Sequence, residues 1–147
     1  MHIEEKIAAL GLTLPTSVTP IANFVLAVQS GKHLFVSGHV SRTSKGKLGR
    51  DLSTEQGYQA ARQVALELLG TVRTELGDLD RVARIVKLFG MVNSTEDFTE
   101  QPKVINGASD LLVEIFGEKG RHARSAVGMA QLPNNASVEI EMILEVI

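Results

Sequence analysis

The side chains able to bind and transform a small charged molecule are concentrated near the C-terminus, in RHARSAVGMAQLPNNASVEIEMILEVI from Arg121 to Ile147. Arg124 supplies a permanent cation whose planar fork can hold a carboxylate through two parallel hydrogen bonds. Further on, Glu139, Glu141 and Glu145 alternate with Val138, Ile140, Met142 and Leu144, so a strand here would carry three carboxylates on one face. A carboxylate can take a proton from water as the water attacks an electrophilic carbon. On a strand surface it more commonly faces solvent and does no chemistry.

Other chemistries lack their residues. The chain has no cysteine, which removes thiol nucleophiles, thiolate metal sites and disulfides together. His2, His33, His39 and His122 do not have the spacing of a zinc site, so no metal is expected. Ser37 lacks the GxSxG setting of a hydrolase nucleophile, GKLGRD reads as a turn, and Asp78 and Asp80 read as a solvated turn. With 15 Lys and Arg against 17 Asp and Glu, a net charge of −2 and a pI near 6.1, no field attracts a phosphate backbone. Nucleic acid is therefore not an expected partner. The opening MHIEEKIAALGL has acids where a signal peptide needs bases, and no apolar run approaches the roughly 20 residues of a membrane span. The expectation is a soluble, cytoplasmic protein without membrane contact.

The elements that must position these residues follow from the pattern. At 147 residues, 44% hydrophobic and 22% charged, the chain suits one domain, with a short extension over about residues 1–19. His2 to Leu10 reads as a short helix with Ile3, Ile7 and Leu10 on its apolar side, and Pro15 and Pro20 hold the next stretch extended. Asn23–Gln29 and His33–Gly38 read as strands joined through Ser30, Gly31 and Lys32. Ser53 and Gln56 form a capping box ahead of a long helix whose stripe is Tyr58, Ala61, Ala65, Leu68, Val72 and Leu76, closed by Gly77. Val82–Asn93 is a third strand. A second helix opens near Pro102, with Val104, Ile105, Ala108, Leu111, Leu112, Ile115 and Phe116 on its apolar side. Asn106 and Gly107 interrupt it, a pair that either admits another backbone closely or exposes a polar group. Two strand-like runs then flank Leu132–Asn135 and read as a closing β-hairpin.

The order ββαβαββ predicts an α+β fold, a mixed β-sheet with two helices on one face. The other face still carries apolar residues from the first three strands, so a second subunit is expected to cover it. In the expected hairpin Arg124 lies opposite Ile143 and Glu139 opposite Gly128, about four residues or roughly 13 Å apart. A site using both would need neighbouring strands or another chain.

The SG at Ser37 and Gly38, the ARSAVG around Arg124, and the LP at Leu132 and Pro133 followed by VEIE at Val138–Glu141 resemble the Rid family, also called YjgF. The likeness runs from about Pro20 to Ile147. It implies a chorismate-mutase-like fold assembled as a homotrimer, with sites in the clefts between subunits, and neither metal nor organic cofactor. Active members hydrolyse enamine and imine acids such as 2-aminoacrylate and 2-iminobutanoate to 2-oxo acids and ammonia. Arg124 matches the family's carboxylate-binding arginine and Glu139 the glutamate that positions or activates water. Phe24, Ser37, Gly38, His39 and Asn106 are the candidate substrate-binding residues. Phe24 stands where deaminase members carry a tyrosine, keeping the ring without its hydroxyl, and His39 stands where glutamine commonly follows SG. The alternatives are a trimer that binds a small carboxylate-bearing metabolite without turnover and, behind it, an endoribonuclease. The longer N-terminus and the QPKVINGASDLLVEIFG segment resemble a longer subgroup of the family.

Overall fold

The longest helix is bounded by a side-chain cap that satisfies orphaned amides at its start and a glycine at its end. The computed structural model describes residues 2–17, 19–20 and 22–147. Its elements are α1 (Ile3–Ala9), β1 (Ala27–Ser30), β2 (His33–Val40), α2 (Thr54–Leu76), β3 (Val82–Asn93), α3 (Gln101–Phe116), β4 (Ala123–Met129) and β5 (Val138–Val146). Ahead of α2, Ser53 accepts from the Gln56 amide at 3.2 Å while the Gln56 side chain accepts from the Ser53 amide at 2.8 Å, the reciprocal box the sequence predicts. Gly77 ends the helix in the left-handed conformation at φ 84°.

Five strands form one sheet in the order β1-β2-β5-β3-β4, antiparallel except for the β3-β4 pair. The ββαβαββ order and the mixed sheet are as expected. The closing hairpin is not. β4 and β5 do not pair, because β3 runs between them, parallel to β4 and antiparallel to β5. The physical reason is that β5 buries one whole face against the helices and so lies in the middle of the sheet, with both backbone edges to be paired. Val138, Ile140, Met142, Leu144 and Val146 are all buried, so the strand needs neighbours on both edges, and β2 and β3 provide them. β4, reached through α3, makes instead a parallel crossover pair with β3. The loop between them bends where expected, with Asn134 and Asn135 both at positive φ, but it carries the chain over the end of β3. Asn93 at that end is fully buried and donates to the Ala136 carbonyl at 3.0 Å.

The other differences are smaller. β1 begins at Ala27 rather than Asn23, leaving Phe24 and Val25 in an irregular lead-in, and β2 extends two residues past Gly38. Leu10 is 42% exposed, so α1 packs through Ile7 and, partly, Ile3. Asp80 holds α1 in place by accepting from the Ile3 amide at 2.8 Å and pairing with His2.

α2 and α3 pack on one face of the sheet. Every apolar residue expected on α3 is buried, as are all those expected on α2 except Tyr58, which reaches across to Asp110 at 2.7 Å. Each large side chain buried this way contributes about 1.5–3 kcal/mol. The helices approach closely at Gly107, where a Cβ would lie 2.0 Å from the Tyr58 carbonyl oxygen. Close packing thus explains that glycine. The opposite face has no helix: Val28 and Phe35, paired across β1 and β2, remain 53% and 45% exposed.

Candidate functional site

The candidate residues fall into two groups on the chain. Arg124 lies in β4 beside Leu88 of β3, a buried residue on the helix side of the sheet, and its side chain turns to α3. Its Nη1 donates to Ser109 Oγ at 3.1 Å and its Nη2 to the Pro102 carbonyl at 3.3 Å. One N–H of each terminal nitrogen is used, leaving three of the guanidinium's five for a ligand among the described residues. Arg124 borders an open depression of about 600 Å³ that Asn106, Ser109, Arg121 and His122 also line. Two carboxylates on its wall are turned away: Glu114 meets Arg62 of α2 at 3.0 Å, and Asp110 accepts from Tyr58.

Phe24, Gly38 and His39 line a second depression, of about 350 Å³, together with Arg42, Glu67 and Asn134. Glu139, outside that lining, approaches Gly38 from the open face of the sheet. Alternating with the buried Val138 and Ile140, it extends over the β2 irregularity between Val36 and His39, and a Cβ on Gly38 would lie 2.3 Å from its Oε2. The missing side chain at Gly38 is what makes room for this carboxylate. Burial first, and the charge of Glu141 second, raise the Glu139 pKa above the ordinary 4.5, which brings the group toward the range of a base working near neutrality.

The irregularity itself is pinned from behind. Ser37 Oγ donates to the Val25 carbonyl at 2.7 Å, fixing the lead-in that carries Phe24. His39 is buried against α2, its Nδ1 2.7 Å from the Ser37 carbonyl and its Nε2 2.8 Å from Thr71 Oγ1. A carbonyl only accepts, so Nδ1 carries the proton and Nε2 accepts from Thr71. Burial lowers the His39 pKa despite the hydrogen bond to Ser37, and Arg42 lowers it further. His39 therefore stands as a neutral strut.

One chain does not bring Arg124 and Glu139 together. Glu139 pairs with Met91 and Met91 with Val127, whereas Arg124 pairs with Leu88 and Leu88 with Met142. The two residues are three positions and two strands apart, about 14 Å between backbones, and their side chains leave opposite faces. The hairpin register expected from the sequence is overturned, and one chain still leaves the two residues apart. Sequence reasoning missed Ser109, which touches Arg124, and His122, which touches Ser109. The signal was present: Asn106 and Ser109 are three apart on a helix, and His122 and Arg124 two apart along a strand, spacings that share a face. The described residues hold no group of three or more acidic or histidine side chains that could bind a metal, and none of their helices is long and apolar enough to cross a membrane.

A mixed five-stranded sheet backed by two helices on one face defines a fold class, and comparisons with known proteins give the same one. Residues 3–146 match the family model described as "YjgF/chorismate mutase-like, putative endoribonuclease", and the chain belongs to that family. It is 45% identical over 150 residues to Protein TCP17 of Trypanosoma cruzi, covering 98% of this chain and 94% of that one. A 2-iminobutanoate/2-iminopropanoate deaminase of Dermatophagoides farinae is 28% identical over 136 residues, 90% of this chain and 93% of the relative. Among solved structures, the Agrobacterium tumefaciens protein Atu1372, of unknown function, superposes with a TM-score of 0.92 at 44% identity, covering 99% of this chain and 92% of that one.

Proposed function

We propose that the protein hydrolyses small 2-imino or 2-enamino acids to 2-oxo acids and ammonia, in clefts where the β4 edge of one copy meets the β1-β2 region of the next. The observation that carries this reading is Arg124, anchored by two hydrogen bonds with three N–H groups uncommitted at the border of an open depression. That arrangement suits a carboxylate. The half holding Phe24, Gly38 and Glu139 lies elsewhere on the chain, so the assembly rather than the single chain completes the site. A heterologous contact of this kind gives a ring where its rotation closes, and closure at three copies makes the homotrimer that the family resemblance implies. The exposed Phe24, Val25, Val28 and Phe35 give such a contact apolar area to bury.

In the cleft Arg124 binds the substrate carboxylate and orients the imine carbon. Glu139 takes a proton from water as the water oxygen bonds to that carbon, giving a carbinolamine. That proton goes to the imine nitrogen, the carbinolamine hydroxyl then gives its own proton by way of Glu139 to the amine, and the C–N bond breaks so that ammonia leaves as the carbonyl of the 2-oxo acid forms; a 2-enamino acid enters the scheme once protonation at its β-carbon has made it the imine. No cofactor enters this scheme. The protein acts on small metabolites in the cytoplasm.

A second reading, binding of a 2-oxo acid without turnover, is favoured by Phe24, whose ring lines the depression without the hydroxyl of the deaminase members. An endoribonuclease has less support, since acids outnumber bases 17 to 15. The test is ammonia release from enzymatically generated 2-iminobutanoate and 2-aminoacrylate, with the protein and its Arg124→Ala variant matched for oligomeric state by light scattering. Acceleration by the wild type that is lost in the variant supports deamination. No acceleration by either, together with Arg124-dependent binding of 2-oxobutanoate, replaces it with the second reading.

A further inference from the structure

Arg124 ends a chain of hydrogen bonds in which every direction is fixed while His122 is neutral. The Gly120 carbonyl, 2.6 Å from His122 Nδ1, can only accept, so Nδ1 carries the proton. Neutral His122 then presents Nε2 as an acceptor to Ser109 Oγ at 2.9 Å, and the Ser109 hydroxyl gives its hydrogen there. Its lone pairs are thereby left for Arg124 Nη1 at 3.1 Å, a group that only donates. Without His122 the hydroxyl could turn its hydrogen toward the guanidinium and repel it.

We propose that Ser109 and His122 are positioning residues that fix the Arg124 fork toward a bound carboxylate, with His122 setting the direction of the Ser109 hydroxyl. This rests on the carboxylate-binding reading of Arg124. Neither residue touches the reacting carbon.

The surroundings support a neutral His122 near pH 7. Burial lowers its pKa and Arg124 lowers it further, against the raising effect of the Gly120 carbonyl. Of the charged groups on the elements packed around it, Asp110 and Glu114 of α3 are engaged by Tyr58 and Arg62 of α2. Arg121 and Arg124 are the nearby cations lining the same depression. From β3, Arg84 donates to the Arg121 carbonyl at 3.0 Å, and Lys87 pairs with Ala123. Protonation at Nε2 would add a cation beside the carboxylate position and release the Ser109 hydrogen from Nε2 to face the ligand. Both changes favour a bound anion.

The test is calorimetric binding of 2-oxobutanoate to the full chain in its native assembly, from about pH 8 down to about pH 5.5, a span that brackets the histidine range while the ligand stays anionic. Wild-type affinity is expected to rise as pH falls below the ordinary histidine value of 6.5, burial having moved His122 downward from it. His122→Gln, which keeps an acceptor near the Nε2 position and cannot titrate, should bind with a flat profile. Ser109→Ala should weaken binding roughly 2- to 10-fold, the worth of one hydrogen bond, and Ser109→Thr should restore it. In turnover the loss should fall on KM, since the carboxylate does not react. If Arg124→Ala abolishes binding while Ser109→Ala and His122→Gln both match wild type across the pH range, the positioning role is refuted alone. If Arg124→Ala itself binds as wild type does, the carboxylate reading fails and this proposal with it.

Discussion

Gly38→Ala is the sharpest probe of how the backbone places the proposed base. Gly38 sits at a negative φ, so alanine brings no backbone strain there, and the whole effect is steric. The new Cβ would lie 2.3 Å from Glu139 Oε2, 3.2 Å from Cδ and 3.4 Å from Cγ. Contact at about 3.4 Å requires the carboxylate to retreat by about 1 Å, which the end of a flexible side chain can do at a cost of about 0.5–1.5 kcal/mol. The fold should survive, with Tm lowered by no more than about 6 °C. Misplacing a catalytic group by about 1 Å costs roughly 100-fold, or about 2.7 kcal/mol of transition-state stabilisation. The assay is kcat/KM for 2-oxo acid formation from 2-iminobutanoate, beside Glu139→Gln as the limit in which the base is gone. Glu139→Gln should also be slightly more stable than wild type at neutral pH. Its raised pKa means the ionised form is disfavoured in the folded chain, a cost present above the folded pKa and relieved as pH falls through it. An inactive Glu139→Gln beside a fully active, folded Gly38→Ala would refute the claim that this backbone fixes the carboxylate's working position.

Three further outcomes are expected. Gly107→Ala should lower the urea midpoint, because its Cβ would lie 2.0 Å from a backbone oxygen that cannot move without shifting α2. The overpacking cost of about 1–3 kcal/mol exceeds the gain of up to about 1 kcal/mol in helix propensity. The buried, depressed His39 should make stability pH-dependent. Its contribution is fully present above the unfolded value of 6.5 and is lost as pH falls toward the lower folded pKa, where the unfolded chain binds the extra proton. Urea midpoints across that window should flatten partly in His39→Gln, with His122 adding a slope of the same sign and His2, whose pairing with Asp80 raises its pKa, one of the opposite sign. Phe24→Tyr should raise the deamination rate by restoring a hydroxyl at the depression, and unchanged kinetics with unchanged oligomerisation would remove Phe24 from the account of activity.

Much of the architecture was legible because it is encoded locally. The Ser53 and Gln56 box, the Gly77 end, the apolar side of α3 and the bounds of β3 each follow from a few consecutive residues acting on their own backbone. Alternation along Val138–Val146 likewise assigned the inward and outward sides of β5 correctly. What the sequence could not reveal by local pattern was which strand lies beside which. The turn signal between Met129 and Val138 is real, yet β3, separated from it by α3, takes the place beside β5 because a strand buried along its length needs two hydrogen-bonding neighbours. That pairing sends Arg124 to the helix side and Glu139 to the open side, a separation invisible in a one-dimensional pattern.

The candidate site divides the same way. The types and motif spacing of Arg124 and Glu139 marked them as candidates from the sequence alone, as guanidinium and carboxylate chemistry belongs to the side chains themselves. Their environments were decided only by folding. Gly38 vacates the space that Glu139 fills, Thr71 of α2 meets His39 across 32 residues of chain, and Ser109 of α3 links His122 to Arg124. Direction, burial and proton position at each of these depend on atoms distant in sequence, because hydrogen-bond partners and desolvation are properties of packed neighbours and not of the chain's local order.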